Sequence, residues 1–168
     1  DLQLSAGEEV PRDHAVLIGF GRVGEPVAEE LARHGIPFVV VEQSRERAEA
    51  LRKVGLPVIY GDATRPEVLN DAYLESARLV IVATPDAYQA RAILMLARKL
   101  NPEVEVVVRT NGDEERRFLE SSGAARAFVS ERELAVSLSR HALRRFGVAH
   151  DMSDVAARTL QVHDGAHP

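Results

Sequence analysis

Short runs of aliphatic and β-branched residues alternate with longer segments of helical period along most of this chain. Most of the runs are continuously apolar, which is typical of strands in a parallel sheet covered by helices on both faces. The alternation therefore predicts an α/β fold. The predicted strands are His14–Ile18, Phe38–Val41, Val58–Tyr60, Leu79–Ala83, Val104–Arg109 and Ala127–Val129.

The segments between the strands carry helix start and stop signals. We expect helices over Val23–Arg33, Arg45–Val54, Pro85–Leu100 and Asp113–Ser122, a short helix near Pro66, and a final helix from about 131 to 146. Helix starts are expected at two capping boxes and one capping threonine. These are Thr64-Arg65-Pro66-Glu67, Ser130-Glu131-Arg132-Glu133 and Thr84. Six strands with helical crossovers predict a Rossmann-like, doubly wound parallel six-stranded sheet of order 3-2-1-4-5-6.

The length of 168 residues fits one domain. We assign 1–13 to a linker, 14–146 to the α/β domain, and 147–168 to a loosely ordered tail. No stretch has the length and apolarity of a membrane span, and the first residues lack a signal-peptide pattern, so we expect a soluble chain.

Charge and cysteine content exclude several classes of function. The chain has 26 acidic and 21 basic residues, a net charge of −5. This argues against a nucleic-acid partner, because a protein that binds nucleic acid needs a surplus of positive charge. Cysteine is absent, which excludes disulfide scaffolds, thiolate zinc sites and cysteine nucleophiles.

The sharpest motif is Gly19-Phe20-Gly21-Arg22-Val23-Gly24, directly after the first predicted strand and at the start of the first helix. In this context the first glycine makes the turn, the second admits a phosphate to the backbone, and the third lets the helix pack on the strand. The helix amino terminus would then bind the phosphate. Arg22 is either a further phosphate contact or a solvated side chain.

Glu42 follows the second predicted strand, where an acid accepts both ribose hydroxyls of an adenosine. The neighbouring Gln43 belongs to the same candidate site. A carboxylate here also repels a 2′-phosphate, so NADP is disfavoured. We expect Glu42 at a solvent-facing strand end. The alternative is that the glycines only form a tight turn and Glu42 is a solvated carboxylate.

Three further strand ends complete the candidate site. Gly61-Asp62-Ala63-Thr64 ends the third strand, and Asp62 would accept from an adenine amino group or, alternatively, cap the next helix. Thr84 lies beside the topological switch point and is either a ligand contact or a plain helix cap. Arg109 ends the fifth strand and points toward the phosphate side or the surface.

The chain resembles the nucleotide-binding regulatory domain of potassium channels and transporters, known as the RCK, KTN or TrkA-N domain. The similarity is greatest to the cytosolic domain of Kef-type cation/proton antiporters. It is carried by HAVLIGFGRVG, VVVEQSRERAEALR, VIYGDAT, LVIVATPD and FVSERELA. The resemblance implies a regulatory module that binds AMP, NAD(H) or a related nucleotide. It also implies a homodimer, and a transmembrane transport domain in the same polypeptide with this module at the cytoplasmic face.

A NAD-dependent oxidoreductase and a stand-alone nucleotide-binding module are the alternatives. An oxidoreductase needs a proton relay beside the nicotinamide. None of the six histidines is expected on a carboxyl-edge loop, and Tyr88 is followed four residues later by Ala92 rather than lysine. The acids at Asp113, Glu114 and Glu115 are explained by the dipole of the helix that they open, so we predict neither catalysis nor a metal site.

The final predicted helix is apolar on two flanks. Leu134, Leu138 and Ala142 recur every four residues, and a second set comprises Val136, Leu143 and Phe146. This is more apolar surface than one helix over a sheet edge requires. We therefore expect the helix to form a homodimer, as the resemblance implies; the alternative is packing wholly within its own domain.

Overall fold

Six parallel strands form one sheet in the order β3-β2-β1-β4-β5-β6. The structure is a computed structural model that describes residues 9–148 and residue 158. The strands are β1 (Ala15–Ile18), β2 (Phe38–Glu42), β3 (Val58–Tyr60), β4 (Leu79–Val82), β5 (Glu105–Thr110) and β6 (Arg126–Val129). The predicted strands agree with these bounds to within one residue at each end, so the expected doubly wound sheet is confirmed.

Helices alternate with the strands along the chain, and the last helix follows β6. They are α1 (Gly24–Arg33), α2 (Arg45–Lys53), α3 (Pro66–Asp71), α4 (Ala87–Leu100), α5 (Asp113–Ser121) and α6 (Ser130–Arg145). The first part of the predicted linker and the predicted tail beyond residue 148, apart from residue 158, lie outside the described residues. Among the described residues, no helix is long and apolar enough to cross a membrane.

The two faces of the sheet are covered unequally. One face packs on α3, α4 and α5, with Leu69, Ile93 and Leu119 buried against all the central strands. The other face packs on α1 and α2 through Ala28 and Leu51, and this layer lies over β1, β2 and β3. On this second face α1 and α2 do not cover β4, β5 and β6, and a groove of about 390 Å³ lies over those strands. We call Ile81, Val107 and Phe128, which line this groove, the open sheet face.

The predicted caps of three helices are wrong. Arg65, and not Thr64, is the N-cap of α3, because the Thr64 hydroxyl donates instead to Asp62 at 2.7 Å. Asp86 caps α4, and its Oδ1 accepts from the backbone N–H of Gln89 at 3.0 Å. Helix α6 begins at Ser130 itself, with no side-chain cap. In each case a nearby side chain or backbone group competes for the predicted capping group.

The described end of the linker is tied to the edge of the sheet opposite the loop Gly19–Gly24, which we call the glycine loop. Arg78 forms a two-pronged ion pair with Asp13, and the Arg78 Nε to Asp13 Oδ1 distance is 2.8 Å. The Ser76 hydroxyl donates to the carbonyl of Pro11 at 3.0 Å. Residues 11–13 are therefore held beside β4.

Candidate functional site

A cavity of about 480 Å³ opens at the carboxyl ends of β1, β2 and β4, which is where ligands bind in open α/β sheets. Most of the predicted site residues lie around it. They are Gly19, Phe20, Gly21, Arg22, Val23, Glu42, Gln43, Gly61, Ala63, Thr84 and Arg109. The cavity also has lining residues that the sequence analysis did not select, chiefly Arg47, Gln89 and Ile93.

The glycine loop joins β1 to α1, and its glycines have different structural roles. Gly19 has φ +93°, a backbone conformation that favours glycine. Gly24 does not line the cavity but lies beneath the loop, where an added Cβ would come 2.0 Å from the carbonyl oxygen of Gly19. At Gly21 an added Cβ would meet only the Arg47 guanidinium, at 3.8 Å. The fold therefore requires the outer glycines, whereas Gly21 leaves space on the cavity side.

Glu42 is the last residue of β2, and the expectation of a solvent-facing side chain is wrong. The residue is 4% exposed. Its Oε2 accepts from the backbone N–H of Phe20 at 2.8 Å, and its Oε1 accepts from that of Ser44 at 2.9 Å. Glu42 therefore ties the glycine loop to the start of α2. Each carboxylate oxygen still has a second lone pair with which to accept a ligand hydroxyl.

Arg47, in the first turn of α2, reaches the glycine loop. Its Nη1 donates to the carbonyl of Phe20 at 3.2 Å and lies 3.8 Å from Oε1 of Glu42. The sequence signal for Arg47 was its position in the first turn of α2, the helix that follows β2. The end of β2 faces the glycine loop. That signal is weak, because Arg45 in the same turn instead pairs with Glu49 on the outside of the helix.

A chain of side-chain amides lies along another wall of the cavity. The Gln89 Nε2 donates to Oε1 of Gln43 at 3.3 Å, and the Thr84 hydroxyl is 3.4 Å from Oε1 of Gln89. Thr84 therefore lines the cavity, and the alternative of a plain helix cap is wrong because Asp86 caps α4. These contacts link the end of β2 to the start of α4.

Asp62 and Thr64 do not line the cavity in the described part of the chain. The Oδ1 of Asp62 accepts from both the hydroxyl and the backbone N–H of Thr64, at 2.7 and 2.9 Å. These two hydrogen bonds hold the pKa of the Asp62 carboxyl below its usual range. Asp62 thus stabilises the turn after β3 and does not cap α3.

Arg22 and Arg109 are two further arginines that line the cavity. Arg22 is exposed. Arg109 is half-buried, and its Nε donates to the Ser130 hydroxyl at 3.2 Å. Arg109 also lines the groove over the open sheet face, so it connects the cavity to the beginning of α6.

The lining combines three arginines with one carboxylate, and it contains no histidine, lysine or tyrosine within the described residues. Backbone N–H groups at the start of α1 and arginine side chains suit an anion. A buried carboxylate with free lone pairs suits paired hydroxyls. The cavity therefore has the groups to hold a phosphorylated nucleoside, with Glu42 as the one carboxylate of the described lining.

Residues 15–130 match the family model of the TrkA-N domain. This chain belongs to the TrkA-N domain family. It is 37% identical to the putative cation/proton antiporter YbaL of Escherichia coli over 131 residues, which cover 76% of this chain and 24% of that protein. It is 31% identical to the putative K(+) efflux antiporter KefB of Alkalimonas amylolytica, over 82% of this chain and 21% of that protein. The resemblance identified from the motifs is thus confirmed.

Solved structures share this TrkA-N fold. The crystal structure of the TrkA-N domain of E. coli inner membrane protein YbaL is 36% identical, with a TM-score of 0.75, covering 77% of this chain and 96% of that one. The AMP-bound Kef CTD of Shewanella denitrificans is 24% identical, with a TM-score of 0.70, covering 91% and 93%. The GsuK channel bound to NAD is 21% identical, with a TM-score of 0.71, covering 82% and 24%. These last two show the fold alone.

The TrkA-N domain described here spans less than a quarter of the length of YbaL and KefB.

Proposed function

We propose that this TrkA-N domain is a ligand-sensing regulatory domain that binds an adenine nucleotide, AMP or NAD(H). The observation that carries the proposal is the cavity at the sheet switch point, where the glycine loop and the buried carboxylate of Glu42 lie side by side. A phosphate-binding loop next to a ribose-binding acid is the arrangement that an adenosine phosphate requires.

The proposed pose follows from these groups. The phosphate lies at the amino terminus of α1, over Gly21. The ribose hydroxyls donate to the lone pairs of Glu42 that Phe20 and Ser44 leave unused. The adenine lies toward Gly61 and Ala63, beyond the end of β3. A 2′-phosphate would face the Glu42 carboxylate, so NADP is a poor ligand.

AMP and NAD(H) are both candidate ligands of this cavity. An AMP-bound Kef CTD and a GsuK channel bound to NAD, each with this fold, support both candidates. Thr84, just after β4, and Arg109, in β5, line the part of the cavity into which the second half of a dinucleotide would extend.

We infer that the domain is not an enzyme. The one carboxylate in the described lining, Glu42, is buried and holds two backbone N–H groups, so it is poorly placed to accept a proton from a substrate. We expect no oxidation of NADH when the protein is incubated with a panel of carbonyl substrates. Protein-dependent loss of NADH absorbance would favour the oxidoreductase alternative.

The transport role is inferred from the antiporters that this chain resembles. We propose that the domain belongs to a Kef-type potassium (cation)/proton antiporter and controls its ion transport. The partner is then a transmembrane transport domain of the same polypeptide, and the domain lies at the cytoplasmic face of the membrane. YbaL and KefB, whose names describe antiporters, support this proposal.

We also propose a homodimer formed through α6. Leu134 and Leu138 are 61% and 64% exposed, and Phe146, just after the helix, is 84% exposed. Only Val136 among the apolar residues of the helix is buried. This exposure supports a dimer over the alternative of a helix packed wholly within its own domain. The open sheet face supplies an apolar surface for the helix of a second copy.

Calorimetric titration with AMP, NAD, 2′-deoxy-AMP and 3′-deoxy-AMP tests the nucleotide site. Each deoxy ligand loses one hydrogen bond to a carboxylate, worth about 1.5–3 kcal/mol, so we expect each to bind roughly 10- to 100-fold more weakly than AMP. The ligand is altered here and the protein is not, so the test does not disturb the tie between Glu42 and Phe20.

The variant Glu42→Ala completes the test. We expect a loss of about 2–4 kcal/mol in AMP affinity, together with a loosened glycine loop, and little further loss with the deoxy ligands. If the wild-type protein bound AMP, 2′-deoxy-AMP and 3′-deoxy-AMP equally, Glu42 would be a purely structural residue.

A further inference from the structure

The Arg47 guanidinium lies against the glycine loop, although Arg47 and Phe20 are 27 residues apart in the chain. Its Nη1 is 3.2 Å from the carbonyl oxygen of Phe20 and 3.8 Å from Oε1 of Glu42. An added Cβ on Gly21 would have this same Nη1, at 3.8 Å, as its one non-neighbouring contact within 4 Å. The guanidinium therefore borders the space above Gly21, at van der Waals distance from where a side chain would begin.

This space is where the glycine loop presents its backbone to a phosphate. The helix terminus supplies N–H donors but only a fraction of a positive charge. Glu42, 4% exposed, carries a full negative charge at the same place. A phosphate brings up to two more negative charges, and like charges a few ångströms apart repel strongly in a partly desolvated cavity. A cation is needed for the acid and a phosphate to occupy this cavity together.

Arg47 has the position and the donors for that task. Its guanidinium, 3.8 Å from Oε1 of Glu42, offsets the carboxylate charge without forming a tight ion pair. Within the described part of the chain the side-chain contacts of Arg47 involve Nη1, which leaves Nε and Nη2 available. The side chain is 57% exposed, so it can reorient at little cost. Guanidinium groups bind phosphate oxygens through two parallel hydrogen bonds, which a lysine cannot reproduce.

We propose that Arg47 is a phosphate-binding residue of this cavity, with its guanidinium hydrogen-bonded to the 5′-phosphate of the nucleotide above Gly21. This inference rests on the proposed nucleotide-binding function and adds to it. Arg47 makes the cavity select phosphorylated adenosine over adenosine, while it neutralises the acid that holds the ribose.

The matched control is Arg45, two residues earlier in the same helical turn. Arg45 is 78% exposed, pairs with Glu49 at 3.4 Å, and does not line the cavity. Arg45→Ala removes the same charge from the same helix end, so it accounts for any general change in the electrostatic field. Arg47→Lys keeps the charge and removes the two-pronged geometry.

The experiment is calorimetric titration of AMP and of adenosine into the wild type, Arg47→Ala, Arg47→Lys and Arg45→Ala. We expect Arg47→Ala to weaken AMP binding roughly 10- to 100-fold, and adenosine binding less than about threefold. Arg47→Lys should be intermediate for AMP, and Arg45→Ala should match the wild type for both ligands. Thermal unfolding of the unliganded variants verifies that the loop-bearing domain is intact.

Two results would overturn the role of Arg47 while nucleotide binding stands. One is AMP affinity that is unchanged in Arg47→Ala. The other is an equal loss for AMP and adenosine, which would assign Arg47 to the base, or to support of Glu42 and the loop. A wild-type protein that binds neither AMP nor NAD would instead overturn the proposed function, and this inference with it.

Discussion

The two halves of the sheet differ in how much of them this chain covers. In β2, on the covered side, all five residues are buried. In β5 the exposure alternates, with Val106 and Val108 buried and Val107 and Arg109 half-buried. The reason is that α1 and α2 cover only β1, β2 and β3 on one face, while α3, α4 and α5 cover the other face completely.

The difference is informative because the sequences of the two halves look alike. Strand β4 reads LVIV and is as continuously apolar as β1, which reads AVLI, yet Leu79 and Ile81 are half-buried whereas all of β1 is buried. Continuous apolar residues are typical of strands covered on both faces. The open sheet face therefore has the composition of a surface that is covered, and we propose that the second copy of the domain supplies the cover.

The largest expected contrast comes from placing a charge in each half. Val40 is 0% exposed in the covered half, so Val40→Asp buries an unpaired carboxylate, and we expect a loss of about 4 kcal/mol or more in unfolding free energy. Val107→Asp places the same group on the open sheet face, with an expected loss of about 1 kcal/mol. Urea unfolding of the monomer, at concentrations below the dissociation constant of the proposed dimer and followed by circular dichroism, measures both. Similar losses would show that the two halves are equally covered in the monomer.

The next contrast concerns the exposed leucines of α6. Leu138→Asp places a charge in the proposed dimer interface, and we expect dimer dissociation to become about 100-fold easier with monomer stability nearly unchanged, since Leu138 is 64% exposed. Sedimentation over a range of concentrations measures it. Ser137→Asp, an exposed neighbour on the same helix, is the control. A wild type that stays monomeric at tens of micromolar would contradict the dimer.

The smallest effect concerns how α6 is held to its own domain. Asp113 accepts from Arg116 Nε and from the buried Arg132 Nη2, both at 2.7 Å, and these hydrogen bonds lower the pKa of Asp113 far below its usual range. Asp113→Asn leaves Arg132 without its counter-charge, so we expect a loss of about 2 kcal/mol at neutral pH.

The pH dependence tests the same contact. Because the folded-state pKa of Asp113 is depressed, its stabilisation is present above the unfolded pKa of about 4 and is lost as the pH falls below that value. The stability difference between the wild type and Asp113→Asn should therefore shrink on acidification. Chemical unfolding at pH 6 and near pH 3 measures the change. A difference that stayed constant would exclude an ionic contribution from Asp113.

Much of the candidate site was predictable because its residues follow directly from the strand ends. Parallel strands bring their carboxyl ends to one edge, so Gly21, Glu42 and Thr84 meet there once the strand order is known. Arg47 and Gln89 were missed because a helix residue reaches the cavity only through the orientation of its helix against neighbouring loops. No local pattern separates Arg47 from Arg45.

The sequence by itself determined the strands, the helices, the sheet order and the glycine loop, because those depend on apolar periodicity and on local backbone requirements such as those of Gly19. Only the tertiary structure decided that Glu42 is buried, which helix residues face the cavity, and that half of one sheet face is left open. These features depend on contacts between segments distant in the chain, such as that of Arg47 with Phe20. Such segments compete for hydrogen bonds and for burial, and neither segment alone shows the outcome.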